Sequence, residues 1–331
     1  METVGVGIIG AGAFGAAHAE ALAGVLGTRL VAASARTPSR LEAFTQRFGG
    51  RAYRDYRELL ADPAVDVACI CLPHNLHAEA TVAALETGKA VLLEKPLAPS
   101  AEECSQIVRA VAGTSVPFML GHIYRYMPVY AAARRLIDAD EIGEPVVCTA
   151  AMAKGWGFEQ REAWHLTDGG GMWLTNGCHL VDRLSWLLDS RPRDIRAVVG
   201  TRFHTQDADD VGVGLLTFES GAVGVVRAVG YRLGAQDHGT EIQGTRGALR
   251  LSHSDGLFVA RADRWEQVEE PTPDLQMVSL RAQWESFLGY LKRGGMSPIS
   301  AEYGQMVVAT ILAGMESSRT GDTVRVGDVG A

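Results

Sequence analysis

The sequence predicts two α/β domains, an N-terminal doubly wound parallel sheet followed by an α+β domain with an antiparallel sheet. Short apolar runs alternate with helical periodicity through the first third of the chain, which is typical of strands joined by helical crossovers. Longer strand-like runs follow from about residue 146, several of them separated by hairpin-type loops. The length of 331 residues also exceeds the roughly 250–300 residues at which single cores divide. We therefore predict domains at residues 1–122 and 123–331.

The first domain is expected to contain five parallel strands. Their apolar runs cover residues 4–9, 29–34, 67–72, 90–93 and 117–120. Helices are predicted between them over residues 39–48, 56–60, 78–87 and 101–111. Ligands of such sheets bind beyond the carboxyl ends of the strands, so the residues after each strand are the first candidates for a site.

The second domain is expected to begin with a helix over residues 129–139. Strands are predicted over residues 146–153, 195–203, 211–218, 223–229, 241–244 and 248–252. The segment that begins with the glycines at 169–171 is expected to enter a helix that runs to about residue 188. Two late helices are predicted over residues 279–293 and 302–318, and a short strand within residues 321–331.

Composition excludes several classes of function. The net charge of −8 argues against a general binder of nucleic acid or of anionic membranes. The first residues have no basic region typical of a secretory signal, and no uncharged run is long enough for a membrane span. Five cysteines without metal-type spacing indicate reduced thiols. We expect a cytoplasmic protein without a metal, whose partner is a small-molecule substrate.

The first strand ends in a Gly-x-Gly-x-x-Gly turn at Gly10, Gly12 and Gly15, with Ala13 and Phe14 inside it, and a helix follows at once. Gly10 permits a tight turn, Gly12 lets a pyrophosphate approach the backbone, and Gly15 lets the helix pack closely on the strand. The helix N-terminus then presents free N–H groups to the phosphates. The motif predicts a dinucleotide site; the alternative is a glycine-rich turn without a ligand.

The end of the second strand indicates which dinucleotide binds. An NAD site usually places Asp or Glu there, but the position holds Ala35. Arginine pairs with a 2′-phosphate, and serine and threonine donate hydrogen bonds to it. We therefore predict NADP(H); the alternative is that Arg36 only stacks on adenine. The proposed phosphate-binding residues are Ser34, Arg36, Thr37 and Arg40.

Two further strand ends carry polar residues. Leu72, Pro73, Asn75 and His77 follow the third strand and are expected to line the nicotinamide end of the site, although His77 could equally cap the next helix. The fourth strand ends in Glu94-Lys95-Pro96, where the proline restricts the lysine to extended geometry and aims it at the site. Glu94 and Lys95 are expected to bind the cofactor. A lysine at such a position is otherwise a solvated surface residue.

The second domain contributes a glycine-led helix. Residues 169–171 are glycines, and Thr175, His179 and Asp182 follow at helical spacing, with Asn176 beside them. A lone helical histidine is more often structural than catalytic. Tyr124, Arg125, Lys154 and Trp164 are weaker substrate candidates, for which packing at the domain boundary is the plain alternative.

Five motifs spread over nearly the whole chain resemble the glucose–fructose oxidoreductase, inositol dehydrogenase and rhizopine-catabolism (Gfo/Idh/MocA) family. They are Gly10-x-Gly12-x-x-Gly15, Glu94-Lys95-Pro96, Gly143-Glu144-Pro145, the glycines at 169–171 and Gly177-Cys178-His179. The resemblance implies a Rossmann domain, a second domain whose large, mostly antiparallel sheet builds dimers or tetramers, and a hydroxylated ring as substrate. It also implies that Lys95 and His179 are the proton-handling residues and contact the substrate.

The chain departs from the family at Thr175, where dehydrogenases of this kind commonly carry Asp four residues before the histidine. A threonine hydroxyl orients a histidine more weakly than a carboxylate does. The expected mechanism is therefore centred on Lys95. The alternatives are dehydrogenation of a non-sugar ring, such as a dihydrodiol, and a non-catalytic NADP-binding sensor.

Overall fold

The computed structural model describes residues 3–157, 161–167 and 170–328, which form two compact units. The first unit ends at Ile123 and also contains Gln276–Gln305, and the second comprises Tyr124–Leu275 and the chain from Met306. The predicted division after residue 122 had assigned residues 276–305 to the second domain. They join the first unit because Trp284 hydrogen-bonds His18 and the Leu120 N–H donates to the Ile299 carbonyl at 3.0 Å.

The first unit is a doubly wound parallel sheet, as predicted, with strand order β3-β2-β1-β4-β5-β6. Its strands are β1 (Val4–Ile9), β2 (Thr28–Ser34), β3 (Arg51–Tyr53), β4 (Val67–Ile70), β5 (Ala90–Glu94) and β6 (Phe118–Gly121). Its helices are α1 (Ala13–Leu22), α2 (Pro38–Phe48), α3 (Tyr56–Ala61), α4 (His77–Glu86) and α5 (Ala101–Ala112). The central strands β1, β4 and β5 are almost wholly buried, as strands covered by helices on both faces must be.

The second unit is built on a nine-stranded sheet of order β14-β13-β12-β11-β7-β10-β9-β8-β15, in which only β7 and β10 pair in parallel. The prediction of a mostly antiparallel sheet is thus confirmed. Its strands are β7 (Pro145–Gly155), β8 (Pro192–Gly200), β9 (Val211–Phe218), β10 (Val223–Tyr231), β11 (Thr240–Gly244), β12 (Ala248–Ser252), β13 (Gly256–Arg261), β14 (Arg264–Glu269) and β15 (Val324–Arg325). The remaining helices are α6 (Pro128–Asp138), α7 (Ala163–Leu166), α8 (Cys178–Leu188), α9 (Leu275–Arg293) and α10 (Ala301–Thr320).

The observed strands differ from the sequence expectations in two respects. Strand β8 was expected to continue to residue 203, but it ends at Gly200 because Asp210 accepts the backbone N–H groups of Arg202, Phe203 and His204 and so folds them into a loop. Strands β3, β13 and β14 were not predicted. The short β3 and the polar edge strand β14 lack the apolar alternation that marks a strand. In the part of the chain that is described, no helix combines the length and the apolar character that a membrane crossing needs.

Candidate active site

The glycine turn after β1 has the geometry expected of a phosphate loop. Gly10 has φ +107°, and a Cβ there would lie 2.4 Å from the Cys71 carbonyl oxygen. A Cβ on Gly15 would lie 2.1 Å from the carbonyl oxygen of Gly10, so both positions require glycine for close packing. Gly12 is different, because nothing lies within 4 Å of its missing Cβ. The space over Gly12 and the first N–H groups of α1, at Ala13 and Phe14, fits a pyrophosphate.

The end of β2 carries the residues predicted to choose between the two dinucleotides. Ser34 closes the strand, buried, and its carbonyl accepts the Gly10 N–H at 2.9 Å, which ties the two strand ends together. Thr37 occupies the N-cap position of α2 without a side-chain hydrogen bond to the helix, and Arg36 and Arg40 are exposed beside it. Residues 34–40 contain no carboxylate, so nothing in this segment would repel a 2′-phosphate.

His77, the first residue of α4, joins the ends of β4 and β5. Its Nδ1 lies 2.8 Å from the Pro96 carbonyl oxygen and its Nε2 lies 2.9 Å from the Leu72 carbonyl oxygen, and the ring is fully buried. Burial lowers the pKa of His77. The side chain was predicted to line the nicotinamide end, but both ring nitrogens face backbone, so it holds the loop in place. Pro73 is partly buried beside it, and Asn75 is exposed.

Glu94 ends β5, and its side chain turns away from the strand end. Its Oε1 lies 2.9 Å from Nε2 of His18 on α1, and Nδ1 of that ring accepts the indole N–H of Trp284 at 3.0 Å. An indole nitrogen only donates, so the His18 proton must be on Nε2, where it is donated to Glu94. Glu94 was predicted to bind cofactor, but its carboxylate serves this chain of hydrogen bonds. Lys95 follows it and is partly exposed at the strand end.

His18, Cys69 and Cys71 form a cluster with metal-ligand character, with donor atoms within 4.8 Å of one another. Both imidazole nitrogens are already used, however, and a metal on Nε2 would force an Nδ1 proton against the Trp284 N–H. The hydrogen bond to Cys69 and burial raise the pKa of the Cys71 thiol well above its ordinary value, which disfavours the thiolate that a metal needs. We therefore interpret the cluster as part of the packed core, with both cysteines as neutral thiols.

The second unit presents the glycine-led helix. A π-helical turn over Trp173–Gly177 runs into α8 and buries Thr175, Asn176 and His179. Gly170 and Gly171 have positive φ values, and Gly169 lies outside the described residues. The turn is fixed by Asp209, whose Oδ1 accepts the Trp173 N–H at 2.7 Å.

Trp173 sits in a slot made by glycines. A Cβ at Gly212, Gly314 or Gly177 would lie 2.2, 2.9 or 3.1 Å from the indole ring. The indole N–H donates to the Ile311 carbonyl at 3.0 Å. This slot sets the position of the residues that follow, including the predicted His179.

Tyr124 connects His179 to groups that the sequence analysis missed. Its ring centroid lies 4.9 Å from that of His179 and 5.2 Å from that of His253. Its hydroxyl lies 3.2 Å from Nδ1 of His238, and the guanidinium carbon of Arg183 lies 3.7 Å from its ring centroid. The sequence offered one signal for this group, because Arg183 interrupts the apolar run of α8. His238 and His253 lie in loops and had no pattern that marked them as site residues.

The other predicted substrate residues are engaged in different ways. Arg125 donates from Nε and Nη2 to Oδ1 of Asp182, at 3.0 and 2.8 Å. Trp164 stacks on His165 with ring centroids 3.5 Å apart and donates its indole N–H to Glu162. Lys154 lies on β7, where its charge helps to lower the pKa of His238, after burial and Arg183.

Comparisons with known proteins agree with this architecture. Residues 4–122 match the family described as "Oxidoreductase family, NAD-binding Rossmann fold", and residues 130–250 match the "GFO/IDH/MocA C-terminal domain". The scyllo-inositol 2-dehydrogenase (NAD(+)) of Bacillus subtilis is 30% identical, over 73% of this chain and 72% of its own length. The levoglucosan dehydrogenase of Pseudarthrobacter phenanthrenivorans is 29% identical, over 79% and 77%.

Solved structures show the same fold. An oxidoreductase domain protein from Kribbella flavida superimposes with a TM-score of 0.92 at 24% identity, covering 99% of this chain and all of the other. A levoglucosan dehydrogenase in complex with NADH gives a TM-score of 0.91 at 25% identity, again over 99% and 100%.

Proposed function

The chain belongs to the Gfo/Idh/MocA oxidoreductase family, and from this premise we propose that it transfers hydride between NADP(H) and a secondary alcohol or ketone on a sugar- or cyclitol-like ring. The observation that carries the proposal is the occurrence, at the carboxyl ends of two strands of one sheet that are separated only by β4, of an open glycine turn at Gly12 and a partly exposed lysine at Lys95. Enzymes of this family act on CH–OH groups, and the relatives named above are dehydrogenases of levoglucosan and scyllo-inositol.

Lys95 is the proposed acid and base. During reduction its ammonium group hydrogen-bonds the substrate carbonyl and donates a proton to that oxygen; during oxidation the neutral amine accepts the hydroxyl proton. The bound nicotinamide supplies or accepts the hydride. His179 is proposed to position the same oxygen or to relay the proton, and Thr175 and Asn176 to hydrogen-bond a neighbouring hydroxyl.

We propose NADP(H) as the preferred dinucleotide. Support comes from Arg36 and Arg40, exposed at the start of α2, and from the absence of a carboxylate between residues 34 and 40. The names of the relatives mention NAD(+) and NADH, so this segment is where the chain would differ from them.

The open face of the large sheet supports a homodimer or homotetramer. On β8 and β9, Val198 is 62% exposed and Leu215 is 50% exposed, and Val213, opposite Val198, is exposed as well. An apolar sheet face of this kind is typical of a surface covered by another subunit. Leu215→Lys should shift the mass measured by light scattering toward the monomer, whereas Leu233→Lys, on an exposed loop, should not. We also propose a cytoplasmic location, which the five free cysteines support.

A substrate screen with both dinucleotides, followed at the nicotinamide absorbance, tests the proposal. Turnover of a polyol, cyclitol or sugar, faster with NADPH or NADP⁺, is expected. Turnover of an aromatic dihydrodiol alone would instead support the second candidate, which Thr175 favours because the sugar-type aspartate is missing. Tight NADPH binding with no turnover on a broad panel would indicate a sensor.

A further inference from the structure

Arg183 is a buried cation that has no partner carboxylate among the residues that the structure describes. The side chain lies on α8 with no exposed surface. Nη1 donates to the Ala151 carbonyl at 3.3 Å, and within the described part of the chain Nε and Nη2 have no assigned hydrogen-bond partner apart from the adjacent Tyr124. Among residues 3–157, 161–167 and 170–328 no carboxylate forms an ion pair with it, and the adjacent Asp182 binds Arg125. A buried charge without a counter-charge is costly unless something else offsets it.

Aromatic rings cover this guanidinium and offset only part of the cost. Its carbon lies 3.7 Å from the Tyr124 ring centroid and 5.4 Å from the Tyr130 centroid. Cation–π contacts stabilise a desolvated cation, but they leave its positive potential at the far side of the ring. Tyr124 also contacts His179, so this potential reaches the proposed substrate residues.

The histidines beside Tyr124 are held neutral and oriented. Burial, and then Arg183, lower the pKa of His238 to about 4 and that of His253 to about 3. Burial raises the pKa of Tyr124 to about 12, so its hydroxyl keeps a proton and can donate it to Nδ1 of His238. The tautomer that accepts this bond carries its own proton on Nε2. His238 is partly exposed and offers one N–H donor near the positive charges of Arg183 and Lys154, while the adjacent Asp237 pairs with Arg227.

We propose that the substrate of this enzyme carries a carboxylate, as sugar acids do, and that His238 donates to it while Arg183 supplies the balancing charge. Arg183 is fully buried, so it acts through Tyr124 and selects charge without touching the ligand. The charge of Lys154 acts on His238 in the same sense as that of Arg183, since both lower its pKa. This inference rests on the proposed function, since it names the class of ring on which the hydride transfer operates.

Calorimetric titration of the NADPH-loaded enzyme with matched pairs tests the inference. The pairs are D-glucuronate with D-glucose, and D-galacturonate with D-galactose, which differ in whether a carboxylate is present. In the wild type the acid should bind about tenfold or more tightly than its neutral partner. Arg183→Lys keeps the charge and should keep the preference, whereas Arg183→Met should abolish it. Because Met replaces an uncompensated buried charge, the melting temperature of Arg183→Met should not fall, which shows that the variant is folded.

Equal or tighter binding of the neutral members in the wild type would overturn the inference, as would an acid preference that survives in Arg183→Met. Absence of any acid binding at millimolar concentration would overturn it as well. These results are separate from failure of the proposed function. Preferential binding of the acids would leave the binding inference standing even if no compound of the broad substrate panel were turned over, which is the result that would refute the dehydrogenase.

Discussion

The indole N–H of Trp284 donates to Nδ1 of His18 across 266 positions of the sequence, and both side chains are fully buried. Through the opposite nitrogen His18 contacts Glu94, the residue before Lys95. One hydrogen bond from α9 therefore fixes the tautomer of a histidine on α1 and, through it, the carboxylate at the end of β5.

Trp284→Phe should destabilise the fold. The substitution leaves Nδ1 of His18 buried without its donor, which costs about 1–3 kcal/mol, and the lost ring volume adds to this. The freed nitrogen can also take up a proton, so the pKa of His18 should rise. Urea denaturation measures the first effect and ¹⁵N chemical shifts the second. The control is Trp265→Phe on the edge strand β14, where the ring is 37% exposed and should change neither quantity.

Lys95→Met should lower the rate of hydride transfer about 100-fold or more, because no other proposed group replaces the proton donor. The dissociation constant of NADPH should stay nearly the same, since the phosphate loop is unaffected. Steady-state kinetics and fluorescence titration measure the two. Lys292→Met, an exposed position near the end of α9, should leave both unchanged. Wild-type activity in Lys95→Met would remove the lysine from the mechanism.

Arg36→Ala should weaken NADPH binding about tenfold and leave NADH binding within a factor of about two, because only the former carries the 2′-phosphate that arginine pairs with. Equilibrium titration with each dinucleotide decides the matter. Arg47→Ala, at the other end of α2 and paired with Glu20, serves as the control. A uniform loss for both dinucleotides would mean that Arg36 stacks on the adenine instead.

Asp209→Asn should change how stability depends on pH. Burial, the largest cause, raises the pKa of Asp209 from 3.8 to about 7. Between pH of about 4 and about 7 the folded protein therefore holds a proton that the unfolded chain has released, so stability falls as the pH rises through this window. Above it the ionised carboxyl costs up to about 4 kcal/mol.

An amide does not ionise, and its oxygen can still accept the Trp173 N–H. Asp209→Asn should consequently be more stable than the wild type at pH 8 and not at pH 4, by urea denaturation. Asp207→Asn, exposed on the same loop, is the control. A difference between Asp209→Asn and the wild type that is equal at both pH values would contradict this assignment.

Local signals were enough to predict the frame of the site but not its inner contacts. The glycine turn and the strand ends follow from spacing over a few residues, and the structure has them close to where the pattern placed them. The hydrogen bond between Glu94 and His18 could not be predicted, because the two residues are 76 positions apart in the sequence. The same holds for His238, which meets Tyr124 across 114 positions. Contacts between residues so far apart in the sequence depend on how the helices and strands pack, and no short sequence pattern predicts them.

The glycine slot around Trp173 has a consequence for how the second unit could be altered. The indole fills the room left by three missing side chains, so its removal would open a void with the outline of the ring. The turn ahead of α8 could then slide along the helix axis and carry His179 with it. Added free indole would be expected to refill the void and return the imidazole to its place, which makes Trp173→Gly a chemical switch for the unit, operated by a small aromatic molecule.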